Sequence, residues 1–304
     1  MHEATNIGAD DDGTHWHLVG AGRVGTLAAF YLRRAGIGIT IVRPGPAHRR
    51  QIRLVFDRAE GVRRHEFDLP VQPPAECPPV SRLIVACKTP YSAAALGRVR
   101  LTDDATVIRL QNGLGSLDGR LAAGQRLIEG VTTSAVMSAA DGAVRVVAEN
   151  TTTFGGGPRP PWFDALAAGW PGLAWAEDVR PAQWRKLVVN AALNPLTAID
   201  DVANGALLER ADLYAEMTAL IDEADALLAR LDPNWPGNSH ERVAAVVSAT
   251  AANTSSMRAD IHAGAVTEIE SINGWLLRQG TSLGMALPAH ARVAERIRAM
   301  AANA

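Results

Sequence analysis

The sequence predicts an α/β fold in two parts, a doubly wound parallel sheet with its helices followed by an all-helical domain. Three observations predict it. In the first half, short apolar, β-branched runs alternate with helical stretches, the pattern of parallel strands joined by crossover helices. From about Pro181 onward the pattern is long, helical and rich in Ala and Leu, without clean strand signals. The chain has 304 residues, and single cores stop growing near roughly 250–300 residues. The boundary falls near Asp178–Pro181, which gives domains over 1–180 and 181–304.

Taken in order, residues 1–15 (MHEATNIGADDDGTH) are acidic and polar, unlike a signal or transit peptide, and read as a flexible extension. WHLVG (16–20) is the first strand and RVGTLAAFYLRRAG (23–36) the first helix. ITIVR (39–43), SRLIVACK (81–88) and ATVIRLQNG (105–113) are further strands. Residues 44–80 hold many arginines, with five prolines between 70 and 79, and predict a hairpin or a loop. In the second half DPNWPGN (232–238) breaks the helical pattern. The chain carries no repeat and no low-complexity segment.

Hydrophobic residues make up 47%, charged residues 20%, and the net charge is −2. That is the composition of an ordinary globular protein, without the basic footprint that nucleic acid or an anionic membrane requires. No apolar run reaches the roughly 18 residues of a membrane span. The two cysteines, Cys77 and Cys87, form no CxxC pair, which fits a reducing, cytoplasmic compartment. The eight histidines show no HExxH or paired-ligand spacing, so no metal site is expected. Neither GxSxG nor a P-loop occurs.

Gly20-Ala21-Gly22-Arg23-Val24-Gly25 matches G-x-G-x-x-G between the first strand and the first helix. Glycines there permit a tight turn and bring backbone N–H groups close to a pyrophosphate at a helix N-terminus. The first domain therefore reads as a Rossmann-type dinucleotide-binding domain. At the end of the second strand, where an acid would accept from a ribose 2′-hydroxyl, stands Arg43. A guanidinium there favours a 2′-phosphate, hence NADPH/NADP+; the alternative is a solvated arginine in an Arg-rich chain.

Lys and Arg number 30, yet only Lys88 and Lys186 are lysine. Lysine can give up its proton when desolvated and arginine cannot. Lys88 ends a predicted parallel strand, at the edge that borders the ligand crevice in such sheets. Lys186 shares a helix face with Asn190 and Asn194, at i, i+4 and i+8, among Leu187, Val188, Val189, Ala191, Ala192 and Leu193. So narrow a polar stripe implies a buried helix around a polar ligand. Pro195 should kink or end that helix. A second stripe, Asn253, Ser256, Asp260, Gly264 and Glu268, follows helical steps within 253–277. It is expected to present Glu268 to Lys186 across the crevice between the domains.

These residues together resemble the ketopantoate reductase (2-dehydropantoate 2-reductase) family from about Trp16 to the C-terminus. The likeness is carried by GAGRVG, by Cys87-Lys88, by QNGLG (111–115), by WRKLVVNAALNPLTAI (184–199), by Asn204-Gly205, by NTSSMRADI and by TEIESINGWLL. It implies NADPH-dependent reduction of the C2 ketone of 2-dehydropantoate to (R)-pantoate, a precursor of pantothenate and coenzyme A. Lys186 would be the general acid, and Glu268 its partner and a contact to the substrate hydroxyl. Lys88 and Asn112 would line the junction of nicotinamide and substrate. Asn190, Asn194, Asn204, Asn253 and Ser256 would hold substrate hydroxyl and carboxylate groups. Residues 1–15, 44–80 and 145–157 fit the family pattern least. On the residues alone, two other readings stay open: a reductase of another 2-oxo acid, and a non-catalytic NADPH-binding regulator. A homodimer is also left open.

Overall fold

The computed structural model describes residues 15–139 and 141–302. The extension expected over 1–15 lies, His15 apart, outside the described residues. The chain divides into two compact units. One comprises the residues up to Cys87, Ala93–Leu110 and Gly119–Glu177; the other comprises Lys88–Ser92, Gln111–Asp118 and the residues from Asp178 onward. Where the sequence expects a single boundary near 180, two short segments that follow strands of the first half thus count with the helical unit.

The first unit begins with β1 (Trp16–Val19), α1 (Arg23–Arg34) and β2 (Ile39–Val42). Next come the antiparallel pair β3 (His48–Arg58) and β4 (Gly61–Gln72), then β5 (Val80–Val85), the short α2 (Ser92–Leu96) and β6 (Leu101–Leu110). The unit closes with β7 (Arg126–Thr132), β8 (Ala135–Ser138), β9 (Val144–Ala148), β10 (Thr152–Gly155), α3 (Phe163–Gly169) and β11 (Leu173–Ala176). Among the described residues one sheet of 11 strands runs in the order β11-β10-β7-β6-β5-β1-β2-β4-β3-β9-β8. β1 lies parallel between β2 and β5, so the chain leaves to one side and then the other from a central strand. That is a topological switch point, where open α/β sheets take their ligands.

Of the two expectations for 44–80, the hairpin is what forms. In β3 the residues Ile52, Leu54 and Phe56 point inward while Arg49, Arg53 and Asp57 do not, the period-2 alternation of a half-buried strand. Phe30 of α1 stacks on Phe56 with ring centroids 5.1 Å apart, which fixes α1 over this face of the sheet. Burial of Leu27, Phe30, Ile39, Ile41, Ile84 and Ile108 completes the core.

The second unit is helical: α4 (Arg180–Ile199), α5 (Ala206–Glu209), α6 (Ala211–Leu231), α7 (Ser239–Ala249), α8 (Ser256–His262), α9 (Asn273–Ser282) and α10 (Pro288–Ala302). Among the described residues no helix is long and apolar enough to cross a membrane. α4 is buried nearly all round, from Gln183 and Trp184 through Leu187–Val189 to Ala191–Ala198, as befits a central helix.

Two sequence expectations are corrected here. Of the kink or end expected at Pro195, the end does not occur; the helix runs on to Ile199. Proline at 195 removes the N–H that would bond the Ala191 carbonyl. The side-chain amide of Asn273 supplies the missing donor, Nδ2 to Ala191 O at 2.9 Å, from a fully buried position. The same amide nitrogen lies 3.0 Å from His290 Nδ1, and His290 Nε2 lies 3.0 Å from Leu220 O. Nδ1 therefore accepts and Nε2 donates, the neutral ring. Burial holds the His290 pKa down at about 4, with the Leu220 carbonyl opposing the fall, so the ring stays neutral through the physiological range. The second correction concerns 253–277, which is not one helix. α8 stops at His262 in a left-handed turn at Gly264 (φ +59°). Ala265 N bonds Asp260 O at 2.8 Å and Gly264 N bonds Ile261 O at 3.0 Å, the paired closure of a Schellman cap. The stripe from Asn253 to Glu268 is therefore not a helix face.

Removing the Asn273 amide should cost about 1–3 kcal/mol, because it leaves a buried carbonyl bare. Urea denaturation of Asn273→Ala, Pro195→Ala and the double variant checks this. Restoring the N–H at 195 in the double variant should recover part of the loss, giving a non-zero coupling between the two positions.

Candidate functional site

The glycine loop is built as a phosphate cradle requires. Gly20 sits at φ +92°, and a Cβ on it would come 2.1 Å from the backbone nitrogen of Cys87, so only glycine lets the β1–α1 turn pass against the segment after β5. At Gly22, the residue before α1, a Cβ would meet nothing within 4 Å. Its backbone is extended, no side chain caps the helix, and the first turn carries no acid. The first N–H groups of α1, beginning at Arg23, are thus left for an outside acceptor. The first intrahelical bond runs from Thr26 N to Gly22 O at 2.8 Å. Ala21, Arg23 and Val24 are half-buried around this turn. Arg43 stands exposed directly after β2, its N–H bonded to Gln72 O at 3.1 Å.

In the helical unit, four chain segments converge. Glu268 lies between α8 and a short 3₁₀ turn, Ile269–Ser271, and is 9% exposed. Its Oε1 accepts from Thr89 N at 3.1 Å and its Oε2 from Asn112 Nδ2 at 3.3 Å. Burial raises the Glu268 pKa; the bonds from Thr89 and Asn112 lower it, Asp260 nearby raises it, and the Lys186 ammonium lowers it. Lys186, on α4, has its own pKa lowered to about 8 by burial, with the Glu268 carboxylate limiting the fall. The two groups feel one another inside a single unit, so the pairing expected across two domains is internal to the helical one.

Lys88 is spoken for by another acid. Its Nζ lies 2.7 Å from Asp260 Oδ1 and donates to Val266 O at 3.2 Å. Asp260 is buried, and its alternation with Ser256 in the sequence does not disclose that partner. The 111–118 segment is locked by Leu114 N to Ser271 O at 2.7 Å. Gly113 at φ +73° would place a Cβ 2.5 Å from that same oxygen. This close approach fixes Asn112 against Glu268.

The asparagines divide. Asn190 is half-buried and Asn194 buried, one and two turns along α4 from Lys186. Asn204 is buried; Nδ2 donates to Thr250 Oγ1 at 3.0 Å, its N–H bonds Asn253 O at 3.1 Å, and its Oδ1 has no partner among the described residues. Asn253 is exposed in the loop before α8, touching Asn204 through its backbone. Ser256 opens α8 half-buried, but the cap is Ser255, whose Oγ accepts from Arg258 N at 3.1 Å and from Thr197 Oγ1 at 2.8 Å. Sequence reasoning missed Ser255, although a serine just before a helix is an N-cap signal. It also missed Thr89, whose contribution is a backbone N–H and leaves no trace in residue type. Among the described residues no cluster of three or more His, Cys, Asp or Glu could hold a metal ion.

Comparison with known proteins bears on this arrangement. Residues 16–159 match the family described as ketopantoate reductase PanE/ApbA, and residues 178–301 match its C-terminal counterpart. A 2-dehydropantoate 2-reductase of Shigella flexneri is 34% identical over 199 residues, 63% of this chain. That match spans 64% of the relative's own length, slightly under two thirds. The 2-dehydropantoate 2-reductase of Vibrio cholerae is 28% identical over 301 residues, 93% of this chain and 96% of that one. A PanE/ApbA family ketopantoate reductase structure from Ralstonia eutropha JMP134 shares the fold, with a TM-score of 0.79, 24% identity and coverage of 95% of this chain and 99% of that one. The two matched regions together take in nearly all of both units described above, and the chain belongs to the ketopantoate reductase family.

Proposed function

We propose that this chain reduces the C2 ketone of 2-dehydropantoate to (R)-pantoate with NADPH, and that Lys186 delivers the proton. The observation that carries the reading is the desolvated ammonium of Lys186, with a pKa of about 8, beside the buried carboxylate of Glu268. A relative from Vibrio cholerae named for this activity matches over nearly its whole length, which supports the substrate.

The residues present fit a dinucleotide. The turn at Gly20 and Gly22, the uncapped first N–H groups of α1 and the absence of an acid there suit a pyrophosphate. Arg43 at the end of β2 suits a 2′-phosphate. Bound there, NADPH supplies the hydride. The protein's part is then to receive the charge that appears on the ketone oxygen. An ammonium held in a partly desolvated site opposes that negative charge and can transfer its proton to it. Glu268 keeps the ammonium charged by its own negative charge, and Thr89 N–H and Asn112 hold the carboxylate in place. Asn112 and Lys88 would line the junction of nicotinamide and substrate. Asn190, Asn194, Asn204, Asn253 and Ser256 would bind the substrate's hydroxyl and carboxylate. The Asn204 Oδ1, buried and without a partner among the described residues, suits a hydroxyl donor.

Lys186→Ala should lower kcat/KM for NADPH-dependent ketopantoate reduction by about 10²–10⁴-fold. Turnover within a few fold of the unchanged protein refutes the assignment. In the unchanged protein the acid must be protonated, so reduction should hold steady below pH 8 and fall as pH rises through about 8.

Glu268→Gln provides an independent check. Glu268 raises the Lys186 pKa against the effect of burial. Losing its charge should therefore move the alkaline limb of the pH–rate profile below 8. A limb that stays in place separates the two groups.

A further inference from the structure

We propose that Arg50 joins Arg43 to form a two-guanidinium receptacle for the 2′-phosphate of NADPH, which makes Arg50 a determinant of cofactor specificity. This inference rests on the NADPH reading above. Sequence logic singles out Arg43 alone, because it ends the second strand. The structure adds Arg50 through the β3–β4 hairpin. Strand β4 lies between β2 and β3, parallel to β2 and antiparallel to β3. Ile41 is level with Val71, Val71 with His48, and Leu69 with Arg50. The β2–β4 ladder continues through the bond from Arg43 N to Gln72 O. The hairpin thus folds the start of β3 back beside the end of β2, with one strand between them.

The pleat then decides which way each side chain faces. Successive residues of a strand alternate between faces. Arg43 shares its face with Ile41, and Arg50 shares its own with Ile52, Leu54 and Phe56. These residues all belong to the core beneath α1, and Phe56 stacks directly on Phe30 of that helix. Arg49 and Arg53 take the opposite face; Arg49 Nη2 is occupied by Asp68 O. Two guanidiniums therefore stand on the α1 side of the sheet at the carboxyl end of β2. The amino end of α1, with its glycine cradle, sits at that same sheet edge because α1 follows parallel β1 and precedes parallel β2.

The pair is also electrostatically incomplete. Among the described residues neither guanidinium has an acidic partner. Burial lowers the Arg50 pKa, and the neighbouring Arg43 charge lowers it further, so the two repel one another. Like charges brought together without a counter-ion favour a bound anion, and a phosphate dianion offers three terminal oxygens for the two guanidiniums to share. A ribose with a free 2′-hydroxyl offers neither charge nor those oxygens.

The test is equilibrium binding of NADPH and NADH, by titration calorimetry, to the full chain and to Arg43→Ala, Arg50→Ala and Arg50→Lys. Arg50→Ala should weaken NADPH by about tenfold or more with NADH affinity unchanged, the latter also showing that the variant is folded. Arg50→Lys, which keeps the charge but loses the planar fork, should fall between. If Arg50→Ala keeps the NADPH:NADH ratio of the unchanged protein while Arg43→Ala loses it, Arg50 has no part and the NADPH reading stands. Equal weakening of both cofactors also overturns the role given to Arg50. If the unchanged protein shows no preference for NADPH, the cofactor reading fails, and this inference fails with it.

Discussion

An ammonium taken out of water loses several kcal/mol of hydration unless charge is returned to it. At Lys186 that loss is large enough to lower the pKa to about 8, and Glu268 stops it going further. Much of the helical unit serves this balance. With less burial the ammonium would keep its proton too firmly to release it near neutrality. Without the carboxylate it would lose the proton before it could act. The carboxylate is in turn pulled toward the neutral form by its own burial, and it stays useful because a backbone N–H and an amide favour its charged form.

That balance requires the helix bearing Lys186 to be both central and fixed. A central helix has no water to fall back on when its hydrogen-bond ladder is broken, and Pro195 breaks it. The amide of Asn273 repairs the break from α9, and neutral His290 takes that amide's second hydrogen. A protonated ring would set a donor against a donor there, and the burial that keeps His290 neutral excludes this. The segment carrying Glu268 ends at this same asparagine, five residues on in the sequence. One buried amide thereby ties the helix of Lys186 to the stretch that carries Glu268.

Much of this was legible in the sequence. The glycine loop, the odd lysines and the asparagine stripe of α4 follow from residue type and spacing, since each needs a particular side chain in a particular place. What was hidden depends on the backbone or on distant partners. Thr89 acts through its N–H, which every residue but proline possesses. The break after His262 depends on one glycine in a stretch whose apolar spacing still looks helical, so periodicity carried the reading of 253–277 past the true end of α8. The persistence of α4 beyond Pro195 depends on Asn273, 78 positions away in the sequence. No local rule anticipates a donor supplied from that far. The hairpin over 48–72 was half-visible: proline and arginine obscured it, while Ile52, Leu54 and Phe56 kept its alternation.

The two lysines, alike in their rarity, differ in their surroundings. Lys88 is held by Asp260 at 2.7 Å and by a backbone carbonyl, a charge fixed in place. Lys186 is half-buried, and desolvation lowers its pKa to about 8. Rarity against a background of arginine therefore points to a requirement for an amine without saying which property of the amine is used. A compact ammonium can be required because it fits one carboxylate and one carbonyl, or because it gives up a proton. Arginine serves neither purpose well: its fork is broad and it keeps its proton. On the sheet, where the proposed demand is to hold an anion, a broad and permanent charge would be the better choice, and the residues standing there are Arg43 and Arg50.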